Sequence, residues 1–267
     1  MAARNALLPA SQAAGWRWAL VGSLLGGVLA VAAWAPARWL AGALDGWSGG
    51  HLRLVNARGT VWNGSAGVVL AGGVGGADPV SLPGRLAWRL RPAWDGVQGR
   101  LDLPCCAPQG LGVRAQAAAG GGWRLAWQDG QSRWPAAMLG GLGAPWNTLQ
   151  PEGTLDLRTR GFALHWRGGQ LAFEGLATLD AVDISSSLST LRPMGSYRLA
   201  LDGGPAASLL LTTTEGSLQL AGSGRWTGRA MRFSGEAAAA PGSEDALSNL
   251  LNIIGRREGA RSIISLG

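Results

Sequence analysis

The sequence predicts a mainly β protein: a single N-terminal transmembrane helix, then an antiparallel, curled or barrel-like β-sheet body with a short C-terminal helix. Three observations predict it. One long stretch without charge lies near the N-terminus, at residues 18–37. From His51 onwards apolar and polar residues alternate with a period of two, which gives a pleated strand one apolar and one polar face. Glycine turn signals then recur at spacings of about eight to twelve residues, as in a meander of short strands. No long amphipathic helical pattern separates these runs, which argues against an alternating α/β body.

The uncharged stretch reads W-A-L-V-G-S-L-L-G-G-V-L-A-V-A-A-W-A-P-A between Arg17 and Arg38. Twenty helical residues rise about 30 Å, the hydrocarbon thickness of a bilayer. Trp16, Trp18, Trp34 and Trp39 stand near its ends, where an indole keeps its ring in lipid and its N–H wet. A cleaved signal peptide is the competing reading, with Ala33-Trp34-Ala35 as an A-x-A; Pro36 and the length of the stretch favour an uncleaved anchor. Arg4 and Arg17 precede the stretch, whereas Arg38 and Asp45 follow it, so the N-terminus is expected inside and the bulk outside. Residues 1–17 are thus a cytoplasmic N-terminus, 18–37 an inner-membrane anchor in contact with lipid, 38–50 a Gly-rich linker and 51–267 a periplasmic β-rich domain. Gly22 and Gly26 form a GxxxG, read either as a helix-pairing face for a homo-oligomer or as plain glycine abundance.

In the body, Leu86, Trp88 and Leu90 alternate with Ala87, Arg89 and Arg91, and Trp123, Leu125 and Trp127 with Arg124, Ala126 and Gln128. The same alternation runs through Leu155 and Leu157, through Phe162, Leu164 and Trp166, and through Tyr197, Leu199 and Leu201. Turns are expected at Gly161, Gly168-Gly169, Gly175, Gly203-Gly204, Gly216, Gly222 and Gly228. Residues 134–142 read as a brief helix. A second begins at Ser243 as N-cap, with Glu244 and Asp245 in its first turn. Leu247, Leu250, Leu251 and Ile254 then form one apolar stripe, Gly255 closes the helix, and Arg256 and Arg257 sit by its negative end. Residues 262–266 return as a last strand.

All 23 basic residues are Arg, and with 16 acidic residues the net charge is +7. Charged residues are 15% and apolar residues 47%, which excludes general disorder. The 44 glycines follow no G-X-Y period, which excludes collagen. The arginines alternate singly along strands with acids nearby, the mark of a solvated face rather than a nucleic-acid site, and no nucleic-acid partner is expected. Two histidines and two cysteines leave little for metal or redox chemistry, and no nucleotide or metal motif occurs; no cofactor, metal or catalytic residue is assigned. Gly46-Trp47-Ser48-Gly49-Gly50 matches G-x-S-x-G but lacks the strand-turn-helix setting of a nucleophile elbow, and reads as linker. Cys105-Cys106 allows a strained vicinal bridge, intermolecular bonds or free thiols.

Two segments carry a resemblance. One is Arg58-Gly59-Thr60-Val61-Trp62-Asn63-Gly64-Ser65-Ala66-Gly67, followed by Leu86-Ala87-Trp88-Arg89-Leu90. The other is Leu250-Leu251-Asn252-Ile253-Ile254-Gly255-Arg256-Arg257-Glu258-Gly259 with its tail. Together with the anchor and the Gly/Trp-rich β body, they resemble the type II secretion system protein N family over nearly the whole chain. The resemblance implies an accessory inner-membrane component that supports export of folded proteins across the outer membrane, in contact with the secretin or the inner-membrane platform, and without catalytic residues. Gly59 and Gly64 are expected to make the turns flanking Trp62, itself read as core. G-x-V-W-x-G after an anchor is also similar to AsmA-like proteins, which would turn the apolar sheet face into a lipid groove.

Overall fold

The computed structural model describes residues 13–73, 79–118 and 120–267; residues 1–12 of the expected cytoplasmic segment lie outside it. Two helices open the chain, α1 (Ala13–Ala33) and α2 (Ala37–Trp47). The charge-free part of α1, residues 18–33, rises about 24 Å, short of the roughly 30 Å of a bilayer core. No helix among the described residues is long and apolar enough to cross a membrane, and the helix expected over 18–37 stops at Ala33. Pro36 is the reason: it takes the N-cap of α2 in an extended conformation, so the helix cannot continue through residues 34–37. The expected linker also differs. Gly42 and Gly46 do not interrupt α2, which runs through both and is held by the packing of Ala37 and Leu40 on the sheet.

Among the described residues the sheet has sixteen strands, all antiparallel. The N-terminal part comprises β1 (Leu52–Gly59), β2 (Asn63–Leu70), β3 (Val80–Ser81), β4 (Leu86–Ala93), β5 (Gly96–Leu103), β6 (Ala107–Ala117), β7 (Trp123–Trp127) and β8 (Gly130–Pro135). Two long strands follow, β9 (Glu152–Arg167) and β10 (Gln170–Ser185). The rest are β11 (Gly195–Asp202), β12 (Ser208–Gly216), β13 (Leu218–Trp226), β14 (Met231–Ala239), β15 (Arg256–Glu258) and β16 (Arg261–Leu266). Neighbours in the chain are neighbours in the sheet, save that β3 adds to β2, β8 adds to β9 beside β7, and β16 lies between β14 and β15.

The sheet does not close, so the barrel-like expectation is corrected to an open sheet with β1 and β15 at its edges. Both edges resist pairing. β1 carries a bulge between Val55 and Arg58, with Asn56 at φ 51°, and β15 is three exposed residues, Arg256-Arg257-Glu258. Gly161 and Gly175, expected as turns, instead face each other inside β9 and β10 at a bulge, both at positive φ. A Cβ on Gly175 would lie 2.2 Å from the Gly161 carbonyl oxygen. The two short strands expected around Gly161 are therefore one strand. Gly222 is likewise inside β13, against the Phe233 ring.

Helix α3 (Trp146–Leu149) and a 3₁₀ helix (Ala136–Leu142) follow β8; the latter replaces most of the helix expected over 134–142. Helix α4 (Glu244–Ile254) matches the predicted C-terminal helix. Its Ser243 N-cap makes no side-chain capping bond, unlike the expectation, and Gly255 ends it in extended rather than left-handed backbone. A Cβ on Gly255 would lie 2.5 Å from the Ile263 carbonyl oxygen, so glycine is required by close approach to β16. Among the described residues three clusters of buried side chains result, the second and third joined through Leu54, Leu86 and Leu101. One packs Leu247, Leu250 and Leu251 of α4 on Met194, Tyr197, Leu218 and Ala237. A second gathers Val68, Leu82, Leu103 and Cys106 beside Trp134 and Met138. The third joins Ala37 of α2 to Ala66 and Trp88.

Candidate functional site

The first cluster of predicted residues, Gly59, Trp62, Gly64 and Trp88, meets where α1 gives way to the sheet. The β1–β2 turn must bring two backbones close. Gly59 (φ +86°) leaves no room for a Cβ, which would stand 2.4 Å from the Asn63 carbonyl oxygen. On Gly64 a Cβ would stand 2.5 Å from Cζ2 of Trp88 and under 3 Å from two backbone oxygens. Trp88 lies beneath this turn, fully buried, and its Nε1–H donates to the carbonyls of Val61 (3.0 Å) and Thr60 (3.3 Å). The turn reaches back to the helices: Val61 N–H donates to the Ala35 carbonyl at 2.8 Å, and Pro36 bridges Thr60.

Trp62 differs from its expected core role. It is half-buried, and its Nε1–H donates at 2.7 Å to the carbonyl of Ala32. The last carbonyls of a helix lack partners within it, so this indole satisfies one of them at the end of α1. Sequence supplied no sign of that bond, because the acceptor lies thirty positions away on the backbone.

The second cluster, Leu247, Leu251, Gly255, Arg256 and Arg257, sits at the other end of the sheet. Leu247 and Leu251 are buried, whereas Arg256 and Arg257 lie exposed on the edge strand β15. Arg256 pairs with Glu258, and Arg257 Nε–H donates to the Gly259 carbonyl at 2.8 Å. The two clusters do not meet.

The polar face carries a cross-strand charge row that period-two reading did not resolve. Register sets Arg133 opposite Asp156, Asp156 opposite Asp180, and Asp180 opposite Arg198. Two adjacent carboxylates would repel, but Arg133 grips Asp156 (2.6 Å), while Arg198 (2.6 Å) and Arg158 (3.0 Å) grip Asp180. Arg158, Arg160 and Arg198 line an open cleft of about 870 Å³ with Asp129, Gln131 and Thr178. The hydrogen bond from Arg133 holds the Asp156 carboxyl below the usual carboxylate range. A folded-state pKa lowered in this way gives stability that is present above the unfolded pKa and lost as pH falls through the folded one. Asp156→Asn is therefore expected to lower Tm near neutrality and to converge with the parent in acid, which flattens the acid limb of a Tm-versus-pH profile.

Ser48, His165 and the two cysteines are all tied into the structure. Ser48 Oγ bonds to the backbone of Asp45 and Leu52, next to the end of α2. His165 Nε2 lies 2.8 Å from Glu174, which Arg124 also grips at 3.1 Å, and these two neighbours lower the Glu174 pKa. Of the options for Cys105 and Cys106, the structure has the vicinal disulfide. Cys106 is buried, and its carbonyl accepts from Arg133 N–H at 2.7 Å, which ties the β5–β6 turn to β8.

On the apolar face, no helix among the described residues packs on the middle of the sheet. Leu125, Leu164 and Phe173 share one row, and Leu179, Leu199 and Leu211 another; all six are half-buried. Rings run across it in contact, Trp127 on Phe162, Phe162 on Phe173, and Phe173 edge-on to Trp226.

No curated protein and no solved structure matches this chain. A family model described as type II secretion system (T2SS), protein N matches it over residues 50–264.

Proposed function

We propose a role that starts from membership: the chain belongs to the type II secretion system protein N family. It is an accessory component of that secretion system, associated with the cell envelope, and it works by contact rather than catalysis. The observation that carries this reading is the extent of the match, which covers the sheet from its first strand nearly to its last and includes both clusters of candidate residues.

In the finer reading, the body lies in the periplasm and supports export of folded proteins by touching the secretin or the inner-membrane platform. Attachment is through α1, whose exposed large side chains Trp18, Leu24, Val28 and Leu29 are all apolar and whose opposite side is Ala and Gly with Ser23, so no charged face opposes lipid over residues 18–33. A helix somewhat short for the bilayer is accommodated by local thinning at modest cost. The exposed charged side chains of β15 and the arginine-lined cleft are the surfaces offered to protein partners, through charge rather than strand addition.

In-cell crosslinking from Arg160 and Arg257 is expected to capture a secretin or platform subunit, and deletion of the gene to reduce export. Normal export together with no captured secretion subunit would overturn the role. A second reading has one observation in its favour, the helix-free aromatic middle of the apolar face, which suits acyl chains in the manner of AsmA-like proteins. Phospholipid co-purifying with the body, with no secretion partner, would favour it.

A further inference from the structure

Helix α2 has two unlike faces. Ala37 and Leu40 pack toward Ala66 and Trp88 of the sheet. The other face presents Arg38, Trp39, Gly42, Ala43, Gly46 and Trp47, all exposed, with Trp47 at 79% and Trp39 at 52%. Trp34, just before α2, is 74% exposed. Three bare indoles in fourteen residues are a poor surface for water, and the glycines between them add no polar cover. At a membrane–water interface the same set is favourable: the ring enters the headgroup layer, the indole N–H stays hydrated, and an arginine meets anionic lipid.

Position supplies the second argument. α1 ends at Ala33 and α2 begins at Ala37, and four residues span at most about 14 Å. The connection is not loose, because Val61 and Trp62 bind the carbonyls of Ala35 and Ala32. Wherever α1 leaves hydrocarbon, α2 therefore enters the headgroup layer, with its sheet-facing side already occupied.

We infer that α2 is a membrane-surface helix whose Trp39–Trp47 face rests on phospholipid headgroups and clamps the sheet against the bilayer. The inference rests on the reading that α1 lies in the membrane, and its test separates the two. Benzoylphenylalanine replaces Leu24, Trp39 or Trp47, one at a time, in the full chain reconstituted into vesicles of phosphatidylethanolamine and phosphatidylglycerol. After illumination, a mass shift of one phospholipid is expected at all three positions. Adducts at 24 but at neither 39 nor 47, or crosslinks from 39 and 47 to a second copy of the chain, overturn the inference and leave α1 in lipid. Adducts at 39 and 47 without 24 support the surface helix and overturn the embedded α1. No adduct at any position overturns both.

Discussion

Trp88→Ala is expected to lower the unfolding free energy by about 3–5 kcal/mol, the usual cost of truncating a buried aromatic. The side chain is 2% exposed and fills the space beneath the β1–β2 turn, so no neighbour is free to collapse into the void. Loss of the indole also strands the Val61 carbonyl, which accepts its N–H at 3.0 Å. The damage extends beyond the core, because Val61 and Trp62 hold the end of α1 and the start of α2. Chemical denaturation measures the loss, and hydrogen exchange at the Val61 amide measures the loosening. Trp88→Phe separates the parts: it keeps most of the volume but still strands the Val61 carbonyl, and should cost less than Trp88→Ala, about 1–3 kcal/mol. Gly64→Ala should remain destabilising in the Trp88→Ala background. A Cβ there still meets the Arg58 and Thr60 carbonyl oxygens at 2.7 and 2.8 Å, and backbone cannot be relieved by a missing ring. An unchanged denaturation midpoint for Trp88→Ala would sink the packing argument.

The sheet was legible because one of its faces is wet. Trp88 between Ala87 and Arg89, or Leu199 between Arg198 and Ala200, encodes a strand and its orientation within a few letters. Ser243 to Gly255 likewise contains its own boundaries, even though the serine hydroxyl makes no cap. What escaped depends on partners far away in the chain. Gly161 looks like a turn until Gly175 is known to face it, and only register makes the pair a bulge. Gly42 and Gly46 look like breaks, yet α2 tolerates them because its stability comes from the Ala37–Leu40 side against the sheet. The apolar stretch was read by hydropathy over 18–37, but backbone chemistry at Pro36 divides it. Of the candidate site, the sequence named residues but not how they group. Gly59, Trp62, Gly64 and Trp88 form one junction, while Arg256 and Arg257 belong to a distant edge.

The C-terminal helix gives the other large effect. Leu251→Ala should cost on the order of 2–5 kcal/mol, whereas Ile253→Ala should stay within about 0.5 kcal/mol. The contrast follows from burial: Leu251 is wholly inside the cluster with Met194, Tyr197 and Leu218, and Ile253 is 42% exposed two residues later. Two alternatives for α4 are thereby distinguished. As a lid on one end of the apolar face, it carries its energy in Leu247, Leu250 and Leu251, and truncation there exposes the sheet beneath. As a detachable docking element, it would leave stability unchanged when Leu251 is cut and would change partner capture instead. The lid is also latched from below, since Ser262 Oγ–H on β16 donates to the Leu251 carbonyl at 2.5 Å inside a fully buried site. Leu251→Ala keeps the carbonyl that Ser262 bonds, but a helix that settles into the vacated space shifts that carbonyl, so Ser262→Ala should add to the Leu251→Ala loss by less than its own separate cost. A double-mutant cycle by denaturation reads that coupling directly. Full additivity would mean that helix and strand are held independently and that α4 can leave the sheet without unfolding it.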